Sequence, residues 1–320
     1  MRIVTLLPSA TELVCGLGLR DQLVGVSHEC DWPPSVAGLP MLTRSRVPPG
    51  LPSAEIDRLV TAQLQDDASL YSLDTDALHA LAPDLVVTQA LCDVCAVSGS
   101  EVARAIGSLP GEVAVVNLEP VCLEDVLATV GLVATAADCP ERGREYAASL
   151  QSRIDVVAAR SDVLDEDARP RVALLDWLDP FFDGGHWVPE LIALAGARPC
   201  LGGAREPSRR RQWSELVQAK PDVIVIALCG FDIVRSLPDV EAFMANPEWR
   251  QWPEGSRPRV LLLDGNAYFS RPGPRLVDSL EILAHALHPQ VHPLPGNMPA
   301  AQLLAAGDAA WCRATMHGTG

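Results

Sequence analysis

The sequence predicts an α/β protein made of two Rossmann-like lobes with parallel sheets, joined by a single long α-helix. Short runs of strand-forming residues alternate with helix-like segments along most of the 320 residues, which is typical of βαβ units. The strand and helix patterns of the first half return in the same order in the second half. Between the halves lies a stretch with helical periodicity that contains no glycine or proline after Gly143.

The first half opens directly on a strand pattern. Apolar runs predict strands over residues 2–7, 23–27, 85–88 and 113–117, and helical spacing predicts helices over 10–19, 74–81 and 123–137. Ser9 or Thr11 is the expected N-cap of the first helix, because a short side-chain oxygen can accept a hydrogen bond from an unpaired backbone N–H. Gly16-Leu17-Gly18 is expected to end that helix.

The second half repeats this order. Strands are predicted over residues 171–175, 221–225 and 260–264, and helices over 189–196, 215–219 and 275–287. Glu190-Leu191-Ile192 matches Glu12-Leu13-Val14, and Pro221-Asp222 matches Pro83-Asp84. Between these matching points the first half is about 40 residues longer, which predicts an insertion within residues 27–70. Because the pattern occurs only twice, it indicates one duplication and not a solenoid.

The connection between the halves is predicted to be a stiff helix over residues 141–163. About 20 helical residues span about 30 Å, and a flexible linker would be rich in glycine and serine. The predicted organisation is an N-terminal lobe over residues 1–120, connecting helices over 121–168, a C-terminal lobe over 169–290 and a C-terminal extension over 291–320.

Composition excludes several classes of partner. The 41 acidic and 25 basic residues leave a net charge of −16, which repels nucleic acid and anionic membrane surfaces. No stretch approaches the roughly 20 apolar residues of a membrane span. The first residues show no signal-peptide pattern, so a cytoplasmic location is expected. Nine cysteines, an odd number, then indicate free thiols and not a disulfide framework.

Ligands of open parallel sheets bind beyond the carboxyl ends of the strands, and the loops there hold most of the unusual side chains. Between two facing lobes these loops would line one cleft. The predicted loops are residues 8–11, 27–34, 89–97, 119–122, 176–187, 229–235 and 265–275.

The loop at residues 27–34 places His28, Glu29, Cys30 and Trp32 close together, which favours a binding site over a merely polar turn. Cys92-Asp93-Val94-Cys95 has the spacing of a metal site, and His28 and Cys30 could supply the second pair of ligands. Such a mixed site suits zinc or an iron–sulfur cluster. The alternative is two small, half-buried thiols at a helix start.

Aromatic side chains concentrate in two of the predicted loops, which favours a flat, apolar ligand. Ordinary core packing is the alternative for some of them. They are Trp177, Phe181, Phe182, His186 and Trp187 in one loop and Tyr268 and Phe269 in the other. Arg271 either holds a ligand carboxylate or amide, or it forms an internal salt bridge, as Arg275 also could. Arg46 belongs to the predicted insertion. Its side chain is expected either to border the pocket or to lie in a solvated loop.

No catalytic template fits the sequence. GxSxG, Walker A, HExxH and a GxGxxG after a strand are all absent, so we assign no catalytic residue.

Four stretches of the chain resemble a known family: Leu6-Leu7-Pro8-Ser9-Ala10-Thr11-Glu12, Ser27-His28-Glu29-Cys30-Asp31, Pro83-Asp84-Leu85-Val86-Val87-Thr88-Gln89 and Gly265-Asn266-Ala267-Tyr268-Phe269-Ser270-Arg271-Pro272-Gly273-Pro274. The sequence resembles, over about residues 1–290, the cobalamin-binding branch of the solute-binding proteins that serve iron-siderophore, haem and vitamin B12 importers. The resemblance implies a non-catalytic protein that holds a corrinoid between its lobes and has an ABC importer as a partner. The candidate ligand-binding residues are Ser9, Thr11, His28, Glu29, Trp32, Arg46, Trp177, His186, Trp187, Phe231, Tyr268, Phe269 and Arg271.

Two other functions remain open at the level of the sequence. One is a cytosolic metal or iron–sulfur protein that uses His28, Cys30, Cys92 and Cys95. The other is a small-molecule enzyme that acts in the same cleft.

Overall fold

A four-stranded parallel sheet organises the first half of the chain. The computed structural model describes residues 1–65, 69–89, 99–109, 111–252, 254–296 and 298–304. The strands of the first half are β1 (Ile3–Thr5), β2 (Leu23–Gly25), β3 (Thr43–Ser45), β4 (Tyr71–Leu73), β5 (Leu85–Thr88) and β6 (Ala114–Asn117). The helices are α1 (Pro8–Gly16), α2 (Ser53–Gln65), α3 (Thr75–Leu81), α4 (Gly99–Gly107) and α5 (Leu123–Ala136).

The strands of the first sheet run in the order β2-β1-β5-β6, and every pair is parallel. The two central strands, β1 and β5, are buried along their whole length, as their continuous apolar sequences require. β3, inside the predicted insertion, and β4, directly after it, pair antiparallel in a separate two-stranded sheet. All four parallel strands therefore end at one edge, which we call the first carboxyl edge.

The start of α1 differs from the prediction. The helix begins at Pro8, with Leu7 in the N-cap position, and neither Ser9 nor Thr11 caps it. Proline suits the first helical position because its missing N–H would have no partner there. Both hydroxyl residues are instead buried inside the helix. The predicted end is correct, since α1 ends at Gly16 and Gly18 has a positive φ of 73°.

The second half is built on a six-stranded sheet. Its strands are β7 (Arg171–Leu178), β8 (Phe181–Asp183), β9 (Arg198–Pro199), β10 (Val223–Ile226), β11 (Arg259–Leu262) and β12 (Gln302–Leu304). The remaining helices are α6 (Pro140–Ser161), α7 (Val188–Leu194), α8 (Trp213–Ala219), α9 (Ile233–Ala245), α10 (Pro247–Arg250) and α11 (Leu276–Leu287), with one wide helical turn at Gly265–Phe269.

The second sheet is mixed and not purely parallel. Strands run in the order β12-β11-β10-β7-β8, and β9 also pairs with β7. The outer strands β8 and β12 are antiparallel to their neighbours, whereas β9 is parallel to β7. The segment predicted as an aromatic loop, residues 176–187, therefore contains the end of β7 and all of β8. The parallel strands β7, β10 and β11 end at one edge, which we call the second carboxyl edge.

The chain divides into two compact units inside α6. The first unit contains Met1–Ser152 and also Pro272–Arg275, and the second contains Arg153–Arg271 and the chain from Leu276 onward. The helix is present close to its predicted range, with Leu150, Ile154 and Val157 buried. Among the residues that the structure describes, no helix is both long enough and apolar enough to span a membrane.

His292, which follows α11, makes the stability of the second unit depend on pH. Only 2% of the residue is exposed, and its Nε2 lies 3.1 Å from Ser161 Oγ, which donates to the carbonyl of Leu194. Burial lowers the pKa of His292 to about 4. Since the unfolded chain binds the proton near pH 6.5, this contribution to stability is complete above pH 6.5 and is lost as the pH falls to about 4.

We expect His292→Gln to make the free energy of unfolding less dependent on pH between pH 6.5 and about 4. The change in the free energy of unfolding of the wild type between pH 6.5 and 4 should exceed that of the variant by up to about 3 kcal/mol. Urea unfolding at a series of pH values measures the difference. His79→Gln, at an exposed histidine, is the control and should keep the wild-type slope. An unchanged slope in His292→Gln would contradict the assignment.

Candidate ligand-binding site

The first carboxyl edge carries a buried cluster of hydroxyl and thiol groups. Thr11 Oγ1 lies 2.6 Å from Thr5 Oγ1 and 3.0 Å from the sulfur of Cys30, and all three residues are buried. Ser9 and Thr88 are also buried here, and within the described ranges their hydroxyl oxygens have no hydrogen-bond partner. An unpaired buried hydroxyl is costly, so these two groups mark the edge as a place where a polar partner would be favourable. Ser9 and Thr11 remain predicted ligand contacts.

His28 is held firmly at the same edge. Its backbone N donates to Thr43 Oγ1 at 3.1 Å, and its ring Nδ1 lies 2.6 Å from the same oxygen. The ring also contacts Tyr71, with centroids 5.6 Å apart. Its Nε2 lies 4.0 Å from Glu29 Oε1, which is beyond hydrogen-bond distance. Thr43 thus fixes the orientation of the imidazole, and among the described residues no group lies within hydrogen-bond distance of Nε2.

Tyr71 is a site residue that sequence reasoning missed. Its hydroxyl donates to Glu29 Oε1 at 3.4 Å, and its ring contacts the imidazole of His28. Tyr71 therefore orients two side chains of the 27–34 loop. It lies on β4, at the end of the insertion, and only the pairing of β4 with β3 brings it there. Arg46, also from the insertion, is exposed, and its backbone N donates to the carbonyl of Leu70.

Trp32 presents a flat surface to solvent. Its residue exposure is 45%, and the guanidinium of Arg275 lies 4.7 Å from the centre of its ring. Arg275 also forms an ion pair with Glu12, with a distance of 3.6 Å between Arg275 Nη1 and Glu12 Oε1. Both side chains are largely buried. The internal salt bridge considered for Arg275 is therefore present. Gly273 allows this approach, because a Cβ there would lie 2.8 Å from the Cβ of Ser9.

The metal set predicted from His28, Cys30, Cys92 and Cys95 is only half described. Cys92 and Cys95 lie outside the described residues. Within the described ranges no group of three histidine, cysteine, aspartate or glutamate side chains is arranged to hold a metal ion. Cys30 itself contacts the hydroxyl of Thr11 inside the core.

The second carboxyl edge places aromatic rings in two pairs. Trp177 contacts Phe231 with centroids 5.1 Å apart, and the guanidinium of Arg235 lies 4.1 Å from the Phe231 ring centre. His186 stacks on Trp187 at 5.4 Å, and burial lowers the pKa of this histidine. Since His186 also has a positive φ of 51°, its segment is held in an unusual backbone conformation.

Several of the predicted aromatic contacts serve packing. Trp187 is buried and donates its Nε1 hydrogen to the carbonyl of Phe269, which is buried as well. Phe181 packs edge-on against Trp213 at 4.8 Å in the core. Phe182, in contrast, lies under the guanidinium of Arg210 at 5.8 Å. The sequence could not separate these roles, because burial depends on partners distant in the chain.

The remaining predicted residues of this edge lie on and after the wide turn that follows β11. Tyr268 is half-buried there. Arg271 is buried and donates from Nη2 to Asn266 Oδ1 at 3.1 Å, which supports an internal structural role for its guanidinium.

Asp176 is a second group that sequence reasoning did not single out. Its Oδ2 accepts a hydrogen bond from Ser208 Oγ at 2.5 Å. Desolvation raises the pKa of Asp176 to about 7, with a smaller contribution from the charge of Asp183, while the hydrogen bond from Ser208 opposes the rise. The sequence feature that could have singled out Asp176 is a carboxylate that directly follows the apolar run of β7.

Comparison with known families decides the class of the protein. The model of a family described as periplasmic binding protein matches residues 3–267. The chain belongs to the periplasmic binding protein family. Family membership confirms the predicted class of solute-binding protein, and a small-molecule ligand and an ABC importer are the partners that fit it.

Relatives of this periplasmic binding protein share little sequence identity but most of their length. A vitamin B12-binding protein of Pectobacterium atrosepticum is 22% identical over 281 residues, which cover 86% of this chain and 84% of the relative. The periplasmic haem-binding protein RhuT of Roseiflexus sp. RS-1 superposes with a TM-score of 0.66 at 22% identity, over 91% of this chain and 98% of that one. The periplasmic vitamin B12-binding protein BtuF of Vibrio cholerae superposes with a TM-score of 0.63 at 18% sequence identity. That superposition covers 89% of this chain and 96% of BtuF. The predicted α/β fold is confirmed.

The expected cytoplasmic location is wrong. The family and its structural relatives are periplasmic binding proteins. The expectation depended on the first few residues, which form β1 and the start of α1. A strand inside a folded sheet carries no information about the compartment. The comparisons also lend no support to zinc or an iron–sulfur cluster, and they do not favour an enzyme.

Proposed function

We propose that this periplasmic binding protein is non-catalytic and holds a corrinoid for an ABC importer. The observation that carries the proposal is the Trp32 indole, which is 45% exposed yet fixed from one side by Arg275. A large ring that is already held in place offers contact area at a small entropy cost, which suits a flat ligand. The vitamin B12-binding relative, similar along 84% of its length, supports the corrinoid class.

The polar groups of the first carboxyl edge fit the rim of such a ligand. A corrin ring carries neutral amide side chains, each with both donors and acceptors. His28, Glu29 and Tyr71 offer donors and acceptors within one connected set. We place the ring face against Trp32 and its amides against this set.

Binding of cyanocobalamin tests the proposal. The purified protein should elute from gel filtration with the visible absorbance of the corrinoid, and calorimetry should give a defined stoichiometry. We expect Trp32→Ala to weaken binding at least about tenfold, because it removes a central aromatic contact. Met41→Ala, which removes another exposed apolar side chain of the same unit, is the control and should leave the affinity unchanged.

The outcomes separate the two parts of the proposal. If haem binds and cyanocobalamin does not, the corrinoid assignment is wrong and the solute-binding role stands. If cyanocobalamin is chemically changed at a steady rate by the protein, the non-catalytic assignment is wrong. An affinity that does not respond to Trp32→Ala would remove the proposed stacking surface.

A further inference from the structure

Three histidines hold the chain that follows α11 against the second unit. Because a carbonyl can only accept, His285 Nδ1 donates to the carbonyl of His292 at 2.8 Å, and His288 Nε2 donates to the carbonyl of Gly196 at 2.9 Å. The rings of His288 and His292 lie with their centroids 6.4 Å apart. The histidines therefore join the end of α11 to the turn after α7 and to the C-terminal segment, which we define as residues 292–296 and 298–304.

The hydrogen bonds of Ser161, the last residue of α6, determine which nitrogen of His292 carries the hydrogen. Ser161 Oγ donates its single hydrogen to the carbonyl of Leu194 at 2.7 Å, so it can only accept from His292 Nε2 at 3.1 Å. His292 Nε2 therefore carries the ring hydrogen, and Nδ1 carries the lone pair. In the part of the chain that the structure describes, this buried Nδ1 has no hydrogen-bond partner.

A second proton on His292 has no acceptor at this place. Protonation would turn Nδ1 into a charged donor, and a buried charged donor without a partner is much more costly than an unpaired acceptor. Among the described residues, the groups whose charges act on the rings of His288 and His292 are basic, so none of them stabilises a further cation. They are His285, Arg160, Arg169 and Arg259.

The far end of the C-terminal segment is held by a short strand. β12 is the outer strand of its sheet and contains three residues, which pair with β11 alone. Leu304 is buried, whereas Leu303 is 56% exposed. A short outer strand with little buried apolar surface opens easily, so β12 depends on the anchor that His292 supplies ten residues earlier.

We propose that His292 is an acid-sensitive latch: when its ring takes up a second proton, the C-terminal segment separates from the second unit while the central strands of that unit stay folded. The charged ring regains water and hydrogen-bond acceptors only outside the core, so separation is the way in which the charge becomes solvated. A solvated histidine has a pKa near 6.5, and burial lowers the pKa of His292 to about 4. The latch is therefore closed at pH 7 and weakens progressively as the pH falls from 6.5 to about 4.

Hydrogen exchange of the backbone amides in the full chain, measured by mass spectrometry at pH 7 and pH 4.5, tests this inference. Exchange is expressed relative to the intrinsic rate at each pH. We expect the protection of β12 to fall at least about tenfold from pH 7 to pH 4.5. β10, which lies between β11 and β7 in the same sheet, should stay protected at both pH values.

Two variants test whether His292 causes the change. His292→Gln keeps an N–H donor for Ser161 and takes up no proton, so the protection of β12 should differ less than about threefold between the two pH values. Ser161→Ala removes the acceptor of His292 Nε2, so β12 should already be about fivefold less protected at pH 7. His79→Gln, at an exposed histidine of the first unit, is the control and should follow the wild type.

Two results would overturn the latch. If β10 and β12 lose protection together at pH 4.5, the acid unfolds the whole unit and does not release one segment. If β12 loses as much protection in His292→Gln as in the wild type, another group is responsible. Neither result affects the proposed binding of a corrinoid, because Trp32 and His28 belong to the first unit.

Discussion

Arg275→Met is expected to lower the free energy of unfolding by about 3–5 kcal/mol. The substitution removes the cation opposite Glu12, whose side chain is only 2% exposed, at an Arg Nη1 to Glu Oε1 distance of 3.6 Å. A buried carboxylate that loses its partner keeps the full cost of dehydration, and this cost is larger than the value of the pair itself. Urea unfolding of the purified protein, followed by circular dichroism, measures the loss.

The double variant Glu12→Gln with Arg275→Met should recover part of that loss, because no charge is then left alone in the core. Arg58→Met is the matched control, since Arg58 pairs with Glu55 at 3.8 Å on the surface of the same unit. Exposed pairs contribute little, so we expect a change under about 1 kcal/mol there. A loss of the same small size in Arg275→Met would show that Glu12 is stabilised without Arg275.

Asp183→Ala should destabilise the second unit by a similar amount, about 3–5 kcal/mol. The carboxylate is fully buried at the end of β8, and it accepts from Arg211 Nε at 2.6 Å and from the backbone N of Arg209 at 2.8 Å. Its removal leaves the backbone N–H of Arg209 and the Nε–H of Arg211 without their acceptor, although Arg211 Nη1 still donates to Glu215. Unfolding in urea, with far-ultraviolet circular dichroism as the probe, gives the size of the loss.

Two further variants define the cause. Asp183→Asn keeps an acceptor for Arg209 N but removes the charge, so its loss should be intermediate. Glu206→Ala breaks the exposed ion pair with Arg209 in the same segment and should cost less than about 1 kcal/mol. Equal losses in Asp183→Ala and Glu206→Ala would contradict a special role for the buried carboxylate.

The fold was predictable where the hydrophobic pattern was long or continuous. The run Leu85–Thr88 gives β5 at its observed bounds, and α5 and α6 have enough turns for a clear helical period. Short edge strands such as β8 and β12 contain three residues each, which is too few for a periodic signal. The helix α9 was missed because it contains Pro238, which normally indicates a break.

The site was predictable in its residue types but not in their exposure. The 27–34 loop does carry His28, Glu29 and Trp32 at the carboxyl edge of a parallel sheet, as the topology requires. Trp187 and Trp177 look equivalent in the sequence, yet only the structure shows that Trp187 is buried against Phe269. Tyr71 was missed since the strand pairing that brings it to His28 depends on the insertion.

The return of Pro272–Arg275 to the first unit has a consequence for biosynthesis. A ribosome that has made residues 1–152 has supplied the sheet of the first unit but not the arginine that neutralises Glu12. Domains usually fold as they emerge from the ribosome. The first unit, however, cannot form its buried ion pair until the segment with Arg275 has been synthesised. A truncated product that ends before residue 275 therefore lacks the Arg275–Glu12 ion pair, and we expect its first unit to be less stable than that of the full chain.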